Sequence, residues 1–383
     1  MIRKLEDQDI EQSLAFSQYA FQYHLSPEQA VERRERAKLH EIWGEFEGEQ
    51  LISKLHILPL KIYIAHKSFS MGGVAGVATW PEHRRKGSVS RLIRQALVSM
   101  KETGHSISLL HPFSFAFYRR YGWEWFVSYK TYKLDAAHLT LLTRTKGRVE
   151  RLTDRSGTSL LQEMYQRFAL GYSGMLDRSL DWWDYHVKPF SYQVGVYRNS
   201  EDQPRGYVLY QVKDRVLEVE EYIFLNEEAR IGMWNFLCQH DSMVDQIKMR
   251  VAEDDRLPYL LANPKFQQEV TPYFMARIVD VEVFLRHYPL AKQAGSVSIQ
   301  VEDPWAKWNE GIYEIQDGQV SRIHATHAKA ALTCDISTLT AIFLGVQSAS
   351  FFYELGRLKG ESADVIELER LIPKQATALF DFF

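Results

Sequence analysis

Only two cysteines occur in the 383 residues, Cys238 and Cys334. They stand far apart in apolar contexts, which argues against a disulfide framework and leaves buried free thiols in a reducing cytoplasm as the expectation. No apolar run is long enough to cross a bilayer, and Met1-Ile-Arg-Lys-Leu-Glu-Asp lacks the apolar core of a secretion signal. The formal net charge of -3 offers no basic surplus for nucleic acid or an anionic membrane, so neither partner is expected. The mixed charges of Glu32–Lys38 read as a solvated helix face. No serine or cysteine sits in a nucleophile elbow. Gly72-Gly-Val-Ala-Gly76 is not followed directly by a glycine-opened helix and so is no dinucleotide fingerprint. His324 and His327 have metal-like spacing without the carboxylate or thiolate set of a zinc site, and no metal is expected.

What is present is concentrated in residues 74–104. A buried strand through Val77, Ala78 and Thr79 runs into a turn with Arg84, Arg85 and Lys86, then Gly87, then a helix whose apolar face is Val89, Leu92, Ile93, Ala96, Leu97 and Met100, with Gly104 as its stop. Helix N-termini carry unpaired N–H groups and partial positive charge, so acidic residues normally collect there. Three cations at that end suit a multiply charged anion such as pyrophosphate, with Gly87 allowing close approach to the backbone. The same residues would also serve as a solvated basic turn, and the motif alone does not choose.

Ile107–Leu110 reads as a buried strand leading into His111-Pro-Phe-Ser-Phe-Ala-Phe-Tyr-Arg-Arg-Tyr-Gly-Trp123. Phe117, Tyr118 and Tyr121 fall at helical spacing before Gly122. The strand, the Arg-x-x-Gly turn and the aromatic helix together resemble the coenzyme A cradle of the GNAT acetyltransferase superfamily, although Val89 replaces the usual Gly or Ala. The chain ends in Ala378-Leu-Phe-Asp-Phe-Phe383, and an aromatic end of this kind is expected to dock into the body rather than fray. With the middle segment Gly174–Trp183, this order resembles the Eis (enhanced intracellular survival) acetyltransferases over nearly the whole chain.

The length suggests two or three cores. Ser26 is expected to cap a helix, and a hairpin is expected to turn at Glu47 and Gly48. From near Gly147 a helix, three meandering strands and a second helix repeat the order of the first block, but Glu227 and Glu228 stand where the cations should be and would repel a pyrophosphate. Strands around Val297–Val301, Gly311–Ile315 and Gln319–Ile323, the last two joined at Asp317-Gly318, precede helical sequence from Ile336. The expected fold is therefore α+β (mixed α/β): an active N-terminal GNAT copy at 1–134, a degenerate copy at 147–274, and, by the Eis resemblance, a sterol carrier protein-like domain at 275–383.

The resemblance implies an acetyl-CoA-dependent N-acetyltransferase acting on a primary amine of aminoglycoside, polyamine or lysine type. It implies coenzyme contacts from Val77, Ala78, Thr79, Arg85, Lys86, Gly87, Ser88, Val89, Ser90, Phe113 and Ser114. It further implies Tyr118 as general acid, the C-terminal carboxylate of Phe383 as base, and a homohexamer. An α-carboxyl titrates near about 3.5 in water and needs burial, here among Phe380, Phe382 and Tyr118, to act as a base. Asp381 near the terminus and other carboxylates are placed to draw polycationic acceptors, although a solvated acidic residue is the commoner case. The alternatives are a non-catalytic coenzyme-binding regulator and a lipid or sterol carrier.

Overall fold

A computed structural model describes residues 1–154, 157–188, 191–292, 295–323 and 330–383. His324 and His327 lie outside the described residues. One twelve-stranded sheet runs through most of the molecule, and a five-stranded sheet carries the C-terminal part. Local signals produce the expected pieces. Ser26 caps helix Pro27–Ala37 by accepting from the Gln29 N–H, with Gln29 answering in a capping box. Strands Glu41–Glu47 and Gln50–Ile64 form the first hairpin. The amphipathic pattern yields helix Ser88–Glu102, whose Leu92, Ile93, Ala96, Leu97 and Met100 are buried.

The sheet is continuous because the two halves exchange strands. Gln267–Ile278 inserts antiparallel between Ile107–Leu110 and Glu124–Asp135 of the first half. Glu124–Asp135 in turn pairs with Gln246–Val251, beyond which lie Val216–Phe224, Pro204–Lys213, Gln193–Arg198 and Arg148–Leu152. A fully buried ion pair, Arg277 to Asp303 at 2.5 Å, ties the inserted strand to the C-terminal part. Helix Ile336–Phe343, buried along its length, fills the space between the five-stranded sheet and that strand. Among the described residues no helix is long and apolar enough to cross a membrane.

The tail returns to the first half. Ala376–Thr377 pairs in parallel with Tyr172–Ser173, and Tyr63 on strand Gln50–Ile64 binds Gly174 and Met175 through main-chain hydrogen bonds. The last residues are thereby carried to the large sheet.

Candidate active site

Strand Lys67–Thr79 runs parallel to Ile107–Leu110 only from Met71 to Val74. Beyond Val74 it pairs only with strand Gln50–Ile64 among the described residues, and there the register slips between Lys54 and His56. The bulge and the missing neighbour turn the free backbone edge of Ala75–Thr79 outward. A cavity of about 760 Å³ opens at this edge, lined by Val77, Ala78, Thr79, Arg85, Gly87, Ser88, Val89, Ser90 and Phe113 from the sequence reading. His83, Arg84, Phe117, Arg120 and Tyr121 line it too. Lys86 and Ser114 do not, and Ser114 instead caps helix Phe115–Arg119 by accepting from the Phe117 N–H at 3.3 Å.

The cradle is shaped for an anion. Gly87 has φ +82° and Arg85 φ +63°, so two left-handed residues bend the chain around the start of helix Ser88–Glu102. That helix has no side-chain cap and no acidic residue in its first turn. Its leading N–H groups therefore remain available at the cavity. No carboxylate lies within ion-pair reach of Arg84, Arg85 or Lys86 among the described residues. Ser90 Oγ and the Tyr121 hydroxyl meet at 2.8 Å and close one wall. These are the features a pyrophosphate requires, so the residues fit coenzyme A on the structure's own geometry. In the second half, Asn226 caps helix Glu227–Cys238, and Glu227 pairs with Arg230 at 2.7 Å. This helix start is satisfied by acidic and amide groups, as anion exclusion requires.

Tyr118 is 3% exposed and packs edge-on to Phe117 at 5.1 Å and Phe113 at 5.5 Å, which both line the cavity. Burial pushes its phenol up, so it stays protonated at neutral pH and can donate. Phe383 comes to the same strand a few residues from the bulge. A Cβ on Gly73 would lie 2.8 Å from the Phe383 ring, so only glycine admits that ring there. Phe274 faces the ring at 4.7 Å and Trp182 at 6.4 Å. Phe382, expected to help bury the carboxylate, is 59% exposed and leans on His111 at 5.1 Å, while Phe380 packs into the core of the second half.

Asp381 is not a surface attractor for cations. Its carboxylate accepts from Arg178 Nε at 3.0 and 3.1 Å and from Trp182 Nε1 at 2.7 Å, and its carbonyl accepts from the Tyr273 hydroxyl at 2.9 Å. Arg178 also donates to Glu221, whose other oxygen accepts from Tyr207 at 2.6 Å. Burial alone would lower the guanidinium's pKa, but Asp381 and Glu221 raise it well above its usual value. Trp183 is fully buried in the core, whereas Trp182 faces the tail.

Arg36 corrects a second expectation. Within the mixed-charge helix, Arg34 and Lys38 do pair outward with Glu11 and Glu35, but Arg36 turns inward over Tyr185 at 4.7 Å and donates to His186. Sequence reasoning had no signal for that contact, because its partners are far along the chain.

The chain resembles known acetyltransferases in parts and as a whole. Residues 1–126 and 174–278 each match an acetyltransferase (GNAT) domain family, and residues 281–379 match a sterol carrier protein domain family. An uncharacterized N-acetyltransferase of Streptomyces griseus is 24% identical, covering 88% of each chain. The N-acetyltransferase Eis of Mycobacterium tuberculosis is 24% identical over 77% of this chain and 75% of its own length. Among solved structures, a probable N-acyltransferase of unknown function from Enterococcus faecalis V583 superposes with a TM-score of 0.93 at 28% identity, covering 100% of this chain and 99% of that one. Eis1 from Mycobacterium abscessus shares the fold, with a TM-score of 0.84 at 21% identity over 100% of both chains.

Proposed function

The chain is an Eis-like N-acetyltransferase of the GNAT superfamily, with two GNAT domains followed by a sterol carrier protein-like domain, and from that premise we propose that it moves an acetyl group from acetyl-CoA to a primary amine by direct attack. The observation that carries the coenzyme reading is the uncapped, cation-flanked start of helix Ser88–Glu102 at the open edge of the bulged strand.

When bound, acetyl-CoA supplies an activated acyl group on sulfur. Arg84, Arg85 and the first N–H groups of the helix hold the pyrophosphate, and the free edge of Val77–Thr79 pairs with the pantetheine arm. N–H groups of that edge also polarise the thioester carbonyl. The Phe383 carboxylate removes one proton from the ammonium, the amine nitrogen bonds to the acyl carbon as the carbon–sulfur bond breaks, Tyr118 protonates the departing thiolate, and the second proton, shed by the new amide nitrogen, returns to the Tyr118 phenoxide. The ring of Phe383, seated on Gly73 and against Phe274, fixes where that carboxylate is delivered.

The tandem arrangement implies one coenzyme per chain. Calorimetry should report a single site that Arg85→Glu abolishes, and charge reversal of Glu227 and Glu228 to Lys should create no second one. Two equivalent sites would overturn the division between an active and a degenerate copy. We also propose a homohexamer, which light scattering at micromolar concentration tests; a monomer refutes it.

A further inference from the structure

A series of ring contacts leads from Phe383 to a guanidinium. The Phe383 ring faces Trp182, and Trp182 stacks on His186 at 3.7 Å with the planes 10° apart. His186 accepts a hydrogen bond from Arg36, whose guanidinium lies over Tyr185. Trp182 and His186 bridge the chain's last residue and this guanidinium. His186 is exposed, and because it only accepts from Arg36 it leaves the guanidinium's charge in place.

No carboxylate lies within ion-pair distance of Arg36 or Arg33 among the described residues, and Glu32 acts on Arg36 only through space. Arg36 is half-buried, where a guanidinium without a counter-anion is costly. Next to it, His40 and His56 stand with ring centres 6.0 Å apart, and His56 lies against Gly76 of the bulge. Buried nitrogens of both, Nδ1 and Nε2 respectively, lack hydrogen-bond partners among the described residues. Besides the Phe383 carboxylate itself, the carboxylate next to the chain end in sequence, Asp381, is held by Arg178. A polycationic acceptor would thus meet like charge at Arg36, whatever its amine finds at the Phe383 carboxylate.

We infer that the acceptor is an amine that also carries an anion, a carboxylate or a phosphate, and that Arg36 holds this anion while the amine reaches Phe383. The inference rests on the acetyltransferase reading above. It places a second recognition point at a distance from the reacting nitrogen, so it governs KM more than kcat.

Matched amines test it. Thiol release is measured with 6-aminohexanoate, 6-aminohexyl phosphate, hexylamine and the polycation spermine, on the wild type, Arg36→Gln and Arg36→Lys. An anion held by a charge-assisted pair should lower KM about tenfold relative to hexylamine with kcat little changed. Arg36→Gln should erase that preference and Arg36→Lys restore part of it. The carboxylate and phosphate arms identify which anion is read. Hexylamine or spermine serving as well as the anionic amines, or a preference that survives Arg36→Gln, overturns the inference and leaves the acetyltransferase reading intact. If no amine turns over, the acetyltransferase reading itself fails. Calorimetry with 6-acetamidohexanoate then still decides the anion site, since wild-type binding that is lost in Arg36→Gln supports it and no wild-type binding refutes it.

Discussion

Replacing Arg178 with Met should destabilise the protein through a cluster that holds the tail in place. The side chains of Arg178, Glu221 and Asp381 are 2%, 5% and 3% exposed, so all three charges are out of water. One cation faces two carboxylates, and its guanidinium sits 3.8 Å over the Tyr165 ring. Methionine fills much the same volume but leaves both carboxylates without a cation. Tyr207 and Trp182 still donate to them, which offsets part of the loss. Breaking a buried pair in this way costs about 3–5 kcal/mol. The sign with pH follows from the same charges. Protonating a carboxylate relieves the repulsion, so the deficit should be larger at pH 8 than at pH 5. The assay is thermal unfolding at both pH values, together with limited proteolysis of the C-terminal tail. The triple variant Arg178→Met, Glu221→Gln, Asp381→Asn removes every charge and should recover much of the lost stability. A single variant that melts with the wild type at pH 8, or a triple variant no more stable than the single, would refute the reasoning.

Tyr118→Phe keeps the ring among Phe113, Phe117 and Trp123 but removes the proton donor, so turnover should fall about 10²-fold or more while coenzyme affinity holds; full activity would exclude the general-acid role. Extending the chain after Phe383 turns its carboxylate into a neutral amide and should abolish turnover, whereas an N-terminal tag of equal size should be tolerated. Deleting Phe383 draws the carboxylate back by up to about 3.5 Å and should cost orders of magnitude, and unchanged rates in either C-terminal variant would place the base elsewhere. Lys54 donates to Ser13 and Ser17 in the core, and burial brings its pKa down to about 7. The unfolded chain therefore binds the extra proton between about pH 7 and 10.4, and stability should rise with pH across that window, a slope that Lys54→Met should flatten.

The elements encoded by short-range pattern were legible. Helix Ser88–Glu102 follows from its apolar spacing, helix Pro27–Ala37 from Ser26, and the third-block hairpin from Asp317-Gly318. Most of the lining of the cavity at the start of helix Ser88–Glu102 was legible too, since strand, cations and glycine are contiguous and a helix start has fixed electrostatics. Alternation of side chains locates Gln267–Ile278 as a strand but cannot say that its partners are Ile107–Leu110 and Glu124–Asp135, because pairing across such separations leaves no local mark. The Arg178 network is hidden for the same reason, its members standing 43 and 203 residues apart. Arg36 sits among residues that do face solvent, and a helix face read by charge alone cannot single out the member that a distant aromatic covers.

The insertion of Gln267–Ile278 into the first half's sheet bears on synthesis. As the chain leaves the ribosome, Ile107–Leu110 and Glu124–Asp135 appear early, and the strand that separates them comes on the order of ten seconds later at 5–20 residues per second. Throughout that interval two strand edges stand open, in the geometry that recruits chaperones or neighbouring nascent chains. Vectorial, unit-by-unit maturation is closed to this topology: the N-terminal half acquires its final sheet only after the second half has been translated. Truncations that stop near the first half's end should therefore yield inclusion bodies rather than a minimal enzyme, and slowing translation between the two halves should lower the yield of folded protein.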